Sequence, residues 1–195
     1  MSRQAHNTRT TKETEIFVSL DLDGTGVCTA DTGVGFFDHM LEGFAKHGLF
    51  DLDVTVKGDL NIDDHHTIED TGIVLGETIL KAIGDKKGIK RYGSCVLPMD
   101  ESLVLCAVDL SGRPYYSSDL RFVFEKIGDM NTNMIKEFFY ALSYSARMNL
   151  HFKQLSGDND HHVAEAAFKA FAKALDSATL IDPRITDVLS TKGTI

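Results

Sequence analysis

An α+β fold made of two similar half-domains, each a β-sheet with helices on one face, is predicted by three observations. First, the pattern D-H-H-x-x-E occurs twice. It stands at Asp64-His65-His66-Thr67-Ile68-Glu69 and, 96 residues on, at Asp160-His161-His162-Val163-Ala164-Glu165. Second, the surroundings repeat. Gly58-Asp59 and Gly157-Asp158 precede the two motifs, and Phe36-Phe37 and Phe138-Phe139 open helical stretches further upstream. Third, each half reads as strands, helix, strand, helix, an order that lets helices cover one face of a sheet.

The elements follow from periodicity. Residues 14–22 and 50–57 alternate apolar positions with β-branched side chains and read as strands. Between them Phe36 to His47 reads as a helix, with Phe37, Met40, Leu41 and Phe44 on one face and Gly48 as its stop. A second helix runs from His65 to Ile83 with Ile68, Leu75, Ile79 and Ile83 along one side. In the second half, 102–110 and 119–127 read as strands, 133–148 as a helix, 150–155 as a strand and 161–176 as a helix. Val163, Ala167, Phe171 and Leu175 face inward on the last. The loop from Gly84 to Gly93 is the joint, so residues 1–90 and 91–195 are two halves of one compact unit.

Composition narrows the function class. The 195 residues are 43% hydrophobic and 25% charged, the balance of a folded globular chain. A net charge of −9 argues against a nucleic-acid or anionic-membrane footprint. No apolar run approaches the ~20 residues of a membrane helix. The polar start, Met1 to Asn7, lacks the apolar core of a secretory signal. Three cysteines, Cys28, Cys95 and Cys106, form no CxxC pair, and a reduced, cytoplasmic setting is the simpler reading.

The repeated motif points to metal. Asp64 and Asp160 read as N-caps of their helices. From there His65 to Glu69 and His161 to Glu165 are i to i+4, on one helix face. Adjacent histidines point about 100° apart on a helix, so His65 and His66, like His161 and His162, are expected to serve different ions. A single His pair at a helix start is usually surface decoration; its repetition with matched Glu spacing is what favours a site. The nitrogen-and-carboxylate donor set suits Mn²⁺, Fe²⁺ or Zn²⁺ alike. His39, mid-helix in an apolar segment, reads either as a satisfied core residue or as a further ligand.

Three spots suit an oxyanion. Arg91 ends a basic, Gly-punctuated loop, Arg113 sits in the turn Ser111-Gly112-Arg113-Pro114, and the tail Ser190-Thr191-Lys192-Gly193-Thr194 offers hydroxyl, ammonium and amide donors. Lys169 lies two turns after His162, on the same side of the helix. Each alone is a weak signal, because surface cations are commonly just solvated.

A longer set of motifs occurs in order: F-x-D-H-M-L (Phe36 to Leu41), D-D-H-H-T-I-E-D (Asp63 to Asp70), P-M-D-E (Pro98 to Glu101), D-L-S-G-R-P (Asp109 to Pro114), N-D-H-H-x-x-E-A-x-F-K-A-F (Asn159 to Phe171) and S-T-K-G (Ser190 to Gly193). By these the chain resembles the imidazoleglycerol-phosphate dehydratases of histidine biosynthesis, in their monofunctional form, over nearly its whole length. The resemblance implies a duplicated fold like that of ribosomal protein S5 domain 2, two Mn²⁺ per active site, and a homo-oligomer of 24 subunits with sites between subunits. It implies metal ligation by His39, His65, His66, Glu69, His161, His162 and Glu165. It places Arg91, Arg113, Lys169, Ser190 and Lys192 on the substrate's phosphate. Glu13, His47, Met99 and Asp100 fall with the substrate-contacting positions. Glu137 stands where many members carry a ligating His, and a carboxylate can replace imidazole on Mn²⁺.

The reaction so implied is a hydro-lyase step, dehydrating D-erythro-imidazole glycerol phosphate to imidazole acetol phosphate. The C–H to be lost has no carbonyl beside it, so the imidazole ring has to act as the electron sink. A metal-bound imidazolate that expels the neighbouring hydroxyl, through a diazafulvene, meets that need. Glu13 and Glu165 are the proton-handling candidates. The rival readings are a dimetal phosphoesterase, whose Asp-rich motifs do not occur here, and a metal-storage or metal-stabilised assembly without turnover. The partner implied is a small phosphorylated imidazole.

Overall fold

Side-chain alternation builds two sheets with the same plan. The computed structural model describes residues 3–195. In chain order the elements are β1 (Gln4–Thr10), β2 (Thr14–Asp21), β3 (Cys28–Asp31), α1 (Gly35–Gly48), β4 (Asp51–Gly58) and α2 (His65–Ile83). The second half holds β5 (Tyr92–Met99), β6 (Ser102–Asp109), β7 (Tyr115–Ser118), β8 (Lys126–Ile127), β9 (Met130–Asn131), α3 (Asn133–Ser145), β10 (Asn149–Ser156) and α4 (Asp160–Thr179). The first sheet runs β1-β2-β4-β3 and the second β5-β6-β10-β7. In both, the first two pairings are antiparallel and the third is parallel. The duplication read from two short motifs therefore extends to strand order and direction.

Each sheet turns one face to helices. Ile16, Val18 and Leu20 of β2 and Leu52, Val54 and Val56 of β4 are buried at every second position, as a one-sided sheet requires. α2 lies on the first sheet and α4 on the second, while α1 packs on α4 and α3 on α2. The two helical layers share one core. Phe37 meets Phe138 edge-on at 5.2 Å across the halves, and Phe44 stacks on Phe171 at 5.4 Å. Each fully buried Phe contributes roughly 1.5–3 kcal/mol. None of the helices is long and apolar enough to cross a membrane among the described residues.

Three sequence expectations are corrected. Residues 119–127 do not form a strand; the ladder of β7 ends at Ser118, and only Lys126–Ile127 pairs again, with β9. Asp119 explains the break. Its carboxylate accepts from the Gln154 amide at 2.9 Å and from Lys153 Nζ at 2.9 Å, occupying the β10 edge that a continuing strand would need. Gly48 is the last helical residue of α1 and not its left-handed stop, which is Leu49 with φ of 59°. Glycine is needed at 48 because a Cβ there would overlap the Phe50 ring. The helix read as 133–148 ends at Ser145.

Close backbone contact also fixes how α4 sits on β5. A Cβ on Gly93 would overlap the Ala174 carbonyl oxygen and stand 2.8 Å from the Ala178 nitrogen. Both neighbours are main chain and cannot swing aside. Gly93→Ala is expected to destabilise the protein by about 1–3 kcal/mol, read as a lower midpoint of chemical denaturation. An unchanged midpoint would contradict this packing.

Candidate metal centre

Ligand-type side chains gather where four helices begin. His39 is the fifth residue of α1, and His65, His66 and Glu69 are the first, second and fifth of α2. Glu137 is the fifth of α3, and His161, His162 and Glu165 are the second, third and sixth of α4. What holds these starts together is the excursion between β7 and α3. The Asp160 carboxylate accepts from the Val123 and Phe124 amides at 2.9 and 2.7 Å. Asp64 accepts from the Asn131 amide at 2.7 Å and from its side chain. The Asp129 carboxylate accepts from the Gly35 and Phe36 amides at 2.7 and 3.0 Å, serving the open start of α1.

The two motif aspartates are therefore not side-chain N-caps, contrary to the sequence expectation. Asp64 occupies the N-cap position of α2 but makes no capping bond, and Asp160 is already helical. Both are buried, and a buried carboxylate takes whichever donors fill its surroundings. The local amides are served by neighbours instead. Asn159 Oδ1 accepts from the His161 and His162 amides at 3.0 and 3.3 Å, and Asp63 from the His65 amide at 2.9 Å.

One set of donors already converges. His161 Nε2 stands 3.2 Å and His39 Nε2 4.0 Å from Glu165 Oε2, and the three donor atoms lie within 4.8 Å of one another. Neighbouring ligands on an ion at bond lengths of roughly 2.1 Å stand about 3 Å apart. Small rotamer adjustments therefore suffice for a divalent cation, and the donor chemistry fits Mn²⁺, Fe²⁺ or Zn²⁺. The other carboxylate oxygen, Glu165 Oε1, is 2.6 Å from Lys169 Nζ. Burial pushes the Glu165 carboxyl up, but the Lys169 hydrogen bond and charge, with His39 and His161, leave it below its ordinary range.

The second histidine of each pair is built differently. The rings of His65 and His66 cross at 74°, and those of His161 and His162 at 82°. His66 Nδ1 is 3.0 Å from Asp59 Oδ2, and His162 Nδ1 is 2.8 Å from Glu101 Oε2. A carboxylate on Nδ1 fixes the tautomer and leaves Nε2 as the donor for a metal. Those Nε2 atoms look toward carboxylates on strand turns: Glu13 lies 3.9 Å from His66, and Asp100 3.9 Å from His162. Asp100, Glu101 and His162 form a second group of metal-type donors. His65 and Glu69 stand at 3.5 Å.

The oxyanion residues divide. Arg91, Arg113, Ser190 and Lys192 line one cavity of about 660 Å³ with the C-terminal Thr194 and Ile195. Arg91 is already engaged there. Nε and Nη2 reach Asp109 at 2.7 and 3.2 Å, and Nη1 donates to the Leu189 carbonyl at 2.7 Å. Three of its five N–H donors are used. Lys169 lies on the metal side instead, against Glu165 and 3.7 Å from Met99 Sδ. His47, in the last turn of α1, has its pKa lowered by burial and by the charges of Lys169 and Lys173. Glu137 is half-buried, and among the described residues it makes no hydrogen bond or ion pair. Sequence reading missed Asp59, Glu101, Asn159 and Asp129 as partners. Asp59, seven residues before His66, and Asn159, which begins the second motif, were the available local signals; Glu101 and Asp129 join residues far apart in the chain.

The described chain matches known proteins along its length. A sequence family described as imidazoleglycerol-phosphate dehydratase covers residues 32–175. A protein of that name from Lachnoclostridium phytofermentans is 63% identical over 195 residues, all of both chains. One from Acetivibrio thermocellus is 58% identical over 193 residues, 99% of each. The solved imidazoleglycerol-phosphate dehydratase of Staphylococcus aureus superposes with a TM-score of 0.83 at 40% identity, covering 92% of this chain and 99% of that one. The Pyrococcus furiosus structure gives 0.83 at 38%, covering 97% and 100%.

The His162–Glu101 pair has a pH signature. The His162 hydrogen bond holds the Glu101 carboxyl down to about 2, and Glu101 raises the His162 imidazole. The lowered Glu101 adds stability above the ordinary carboxylate range, lost as pH falls toward 2. The raised His162 adds stability below the ordinary imidazole range, lost as pH rises through its raised value. In metal-free protein, Glu101→Gln is expected to bring the His162 titration down in proton NMR; an unmoved His162 would contradict the pair.

Proposed function

The chain belongs to the imidazoleglycerol-phosphate dehydratase family, and from that premise we propose that it dehydrates D-erythro-imidazole glycerol phosphate to imidazole acetol phosphate in cytoplasmic histidine biosynthesis. The observation that carries the reading is the convergence of His39 from one half of the chain with His161 and Glu165 from the other. Such a set, next to Lys169 and on the same chain as a cavity lined by Arg113, Ser190 and Lys192, suits a substrate with a metal-binding ring and a phosphate.

In this reading His39, His161 and Glu165 hold one divalent ion, and His65, Glu69 and Glu137 hold the other. His66 and His162, whose Nε2 atoms turn toward other carboxylates, complete the sets from neighbouring copies in a 24-subunit assembly. Two ions, Mn²⁺ foremost, supply Lewis acidity to the substrate's imidazole when bound. The residues do the rest. Arg91, Arg113, Ser190 and Lys192 bind and orient the phosphate in their cavity, and Lys169, on the metal side of the chain, joins them where neighbouring copies meet. Met99, Asp100 and His47 shape the space beside the ring.

The substrate's ring gives up its N–H proton and expels the neighbouring hydroxyl, and the two leave together as water. The diazafulvene side chain that remains has an acidified C–H. Glu13, on the turn between β1 and β2, takes that proton, a ring nitrogen regains one, and the enol so formed becomes the ketone as its hydroxyl proton is exchanged for one on carbon. Glu165, with one oxygen on Lys169, is the second carboxylate in reach of the ring.

Metal-loaded protein given the substrate is expected to form the ketone, and chelated protein none; no product from an assembled, metal-loaded sample would overturn the reading. Glu13→Gln is expected to lower kcat by about 10²–10⁴, and an unchanged rate would remove Glu13 from its role. Lys192→Ala is expected to raise KM with little change in kcat, because the phosphate is remote from the breaking bond.

A further inference from the structure

The duplication allows the two ligand sets to be compared position by position, and they are unequal. Both sheets have the same strand order, α1 packs on α4, and α3 packs on α2. The fifth residue of α1 is His39 and the fifth of α3 is Glu137. The i to i+4 pairs His161–Glu165 and His65–Glu69 occupy matching places at 3.2 and 3.5 Å. One turn further on the counterparts diverge again. Lys169 follows Glu165 by four residues and bonds its Oε1 at 2.6 Å, whereas Ile73 follows Glu69 by four.

The first set is therefore two imidazoles and one carboxylate, with an ammonium bonded to that carboxylate. The second is one imidazole and two carboxylates with no such cation. Counting formal charge with neutral imidazoles, the first set sums to zero and the second to −2. Glu137 is half-buried without a hydrogen bond or ion pair among the described residues. Its position in α3, which packs on α2, matches that of His39 in α1, which packs on α4.

We propose that the two metal positions of this protein differ in ion preference, the Glu137 position selecting hard, oxygen-preferring ions such as Mn²⁺ and the His39 position favouring imidazole-preferring ions such as Zn²⁺. This rests on the ligand partition given above. Exchanging imidazole for carboxylate moves a site toward the ligand type that suits Mn²⁺, while imidazole suits zinc. The net difference of two charges, one from the extra carboxylate and one from the missing cation, strengthens the attraction for any dication and most affects one that binds mainly by charge.

The test uses the full-length, assembled protein, stripped of metal and dialysed against Mn²⁺ with rising Zn²⁺. Bound metals are counted by elemental mass spectrometry, and retained Mn²⁺ is followed by electron paramagnetic resonance. Zinc is expected to displace manganese in two steps whose midpoints differ at least tenfold, with about one Mn²⁺ per subunit surviving the first. Glu137→His is expected to merge the steps by bringing the resistant one down. Glu137→Gln, which removes the charge with little change in shape, is expected to weaken Mn²⁺ at that position at least tenfold. A single displacement step in the unaltered protein, or two steps unmoved by both substitutions, would overturn the proposal. Failure of the stripped protein to bind either ion would overturn the functional reading as well. Equal sites in a protein that still forms product would overturn this inference alone.

Discussion

Four helix starts must hold their register against one another, and one stretch of chain between β7 and α3 is where that constraint is met. A helix start carries unpaired amides and the positive end of the helix dipole. Here a carboxylate on the excursion, Asp129, meets the amides of α1, while the carboxylates of Asp64 and Asp160 on α2 and α4 reach out to amides of the excursion. α3 grows directly from its end at Thr132. Slipping any of these starts by one residue would turn its side chains by about 100°. That would aim His39 or the two His pairs away from one another. Hydrogen bonds to charged groups contribute about 1.5–3 kcal/mol each, so the clamp holds the register firmly without covering the ligands.

The duplication explains why the site is spread over the whole chain. Each half supplies a sheet, a covering helix with the D-H-H-x-x-E motif, and a second helix that crosses to the other. Because α1 packs on α4 and α3 on α2, each half borrows from its twin. His39 of the first half meets His161 and Glu165 of the second. The halves have also diverged in detail. Asp59, just before its own motif, orients His66, whereas Glu101, on the turn between β5 and β6, orients His162. The overall charge of −9 coexists with a cationic cavity because Arg91, Arg113 and Lys192 are drawn to one end of the second sheet and the tail.

Much of this was legible in the sequence. The helix expected from about His65 to Ile83 is α2, because its apolar stripe is long and its flanks are polar. The repeated motif announced two related halves, and its spacing put His65 near Glu69 and His161 near Glu165. What was not legible depended on partners distant in the chain. The run from 119 to 127 has the side chains of a strand, but a strand exists only where an edge is free to pair. β1, whose side chains are mostly exposed, and the short β3 gave no periodic signal, because edge strands have little to bury. Asp64 and Asp160 looked like caps because local rules assign an aspartate to the nearest amides; burial sent them to amides 67 and 37 residues away.

The most direct test is a crystal structure grown with Mn²⁺ and measured at the manganese absorption edge. The account predicts an anomalous peak bounded by His39 Nε2, His161 Nε2 and Glu165 Oε2, with the segment 119–132 holding the four helix starts as described. Well-ordered crystals with no peak there, or with manganese only beside Asp100, Glu101 and His162, would contradict it.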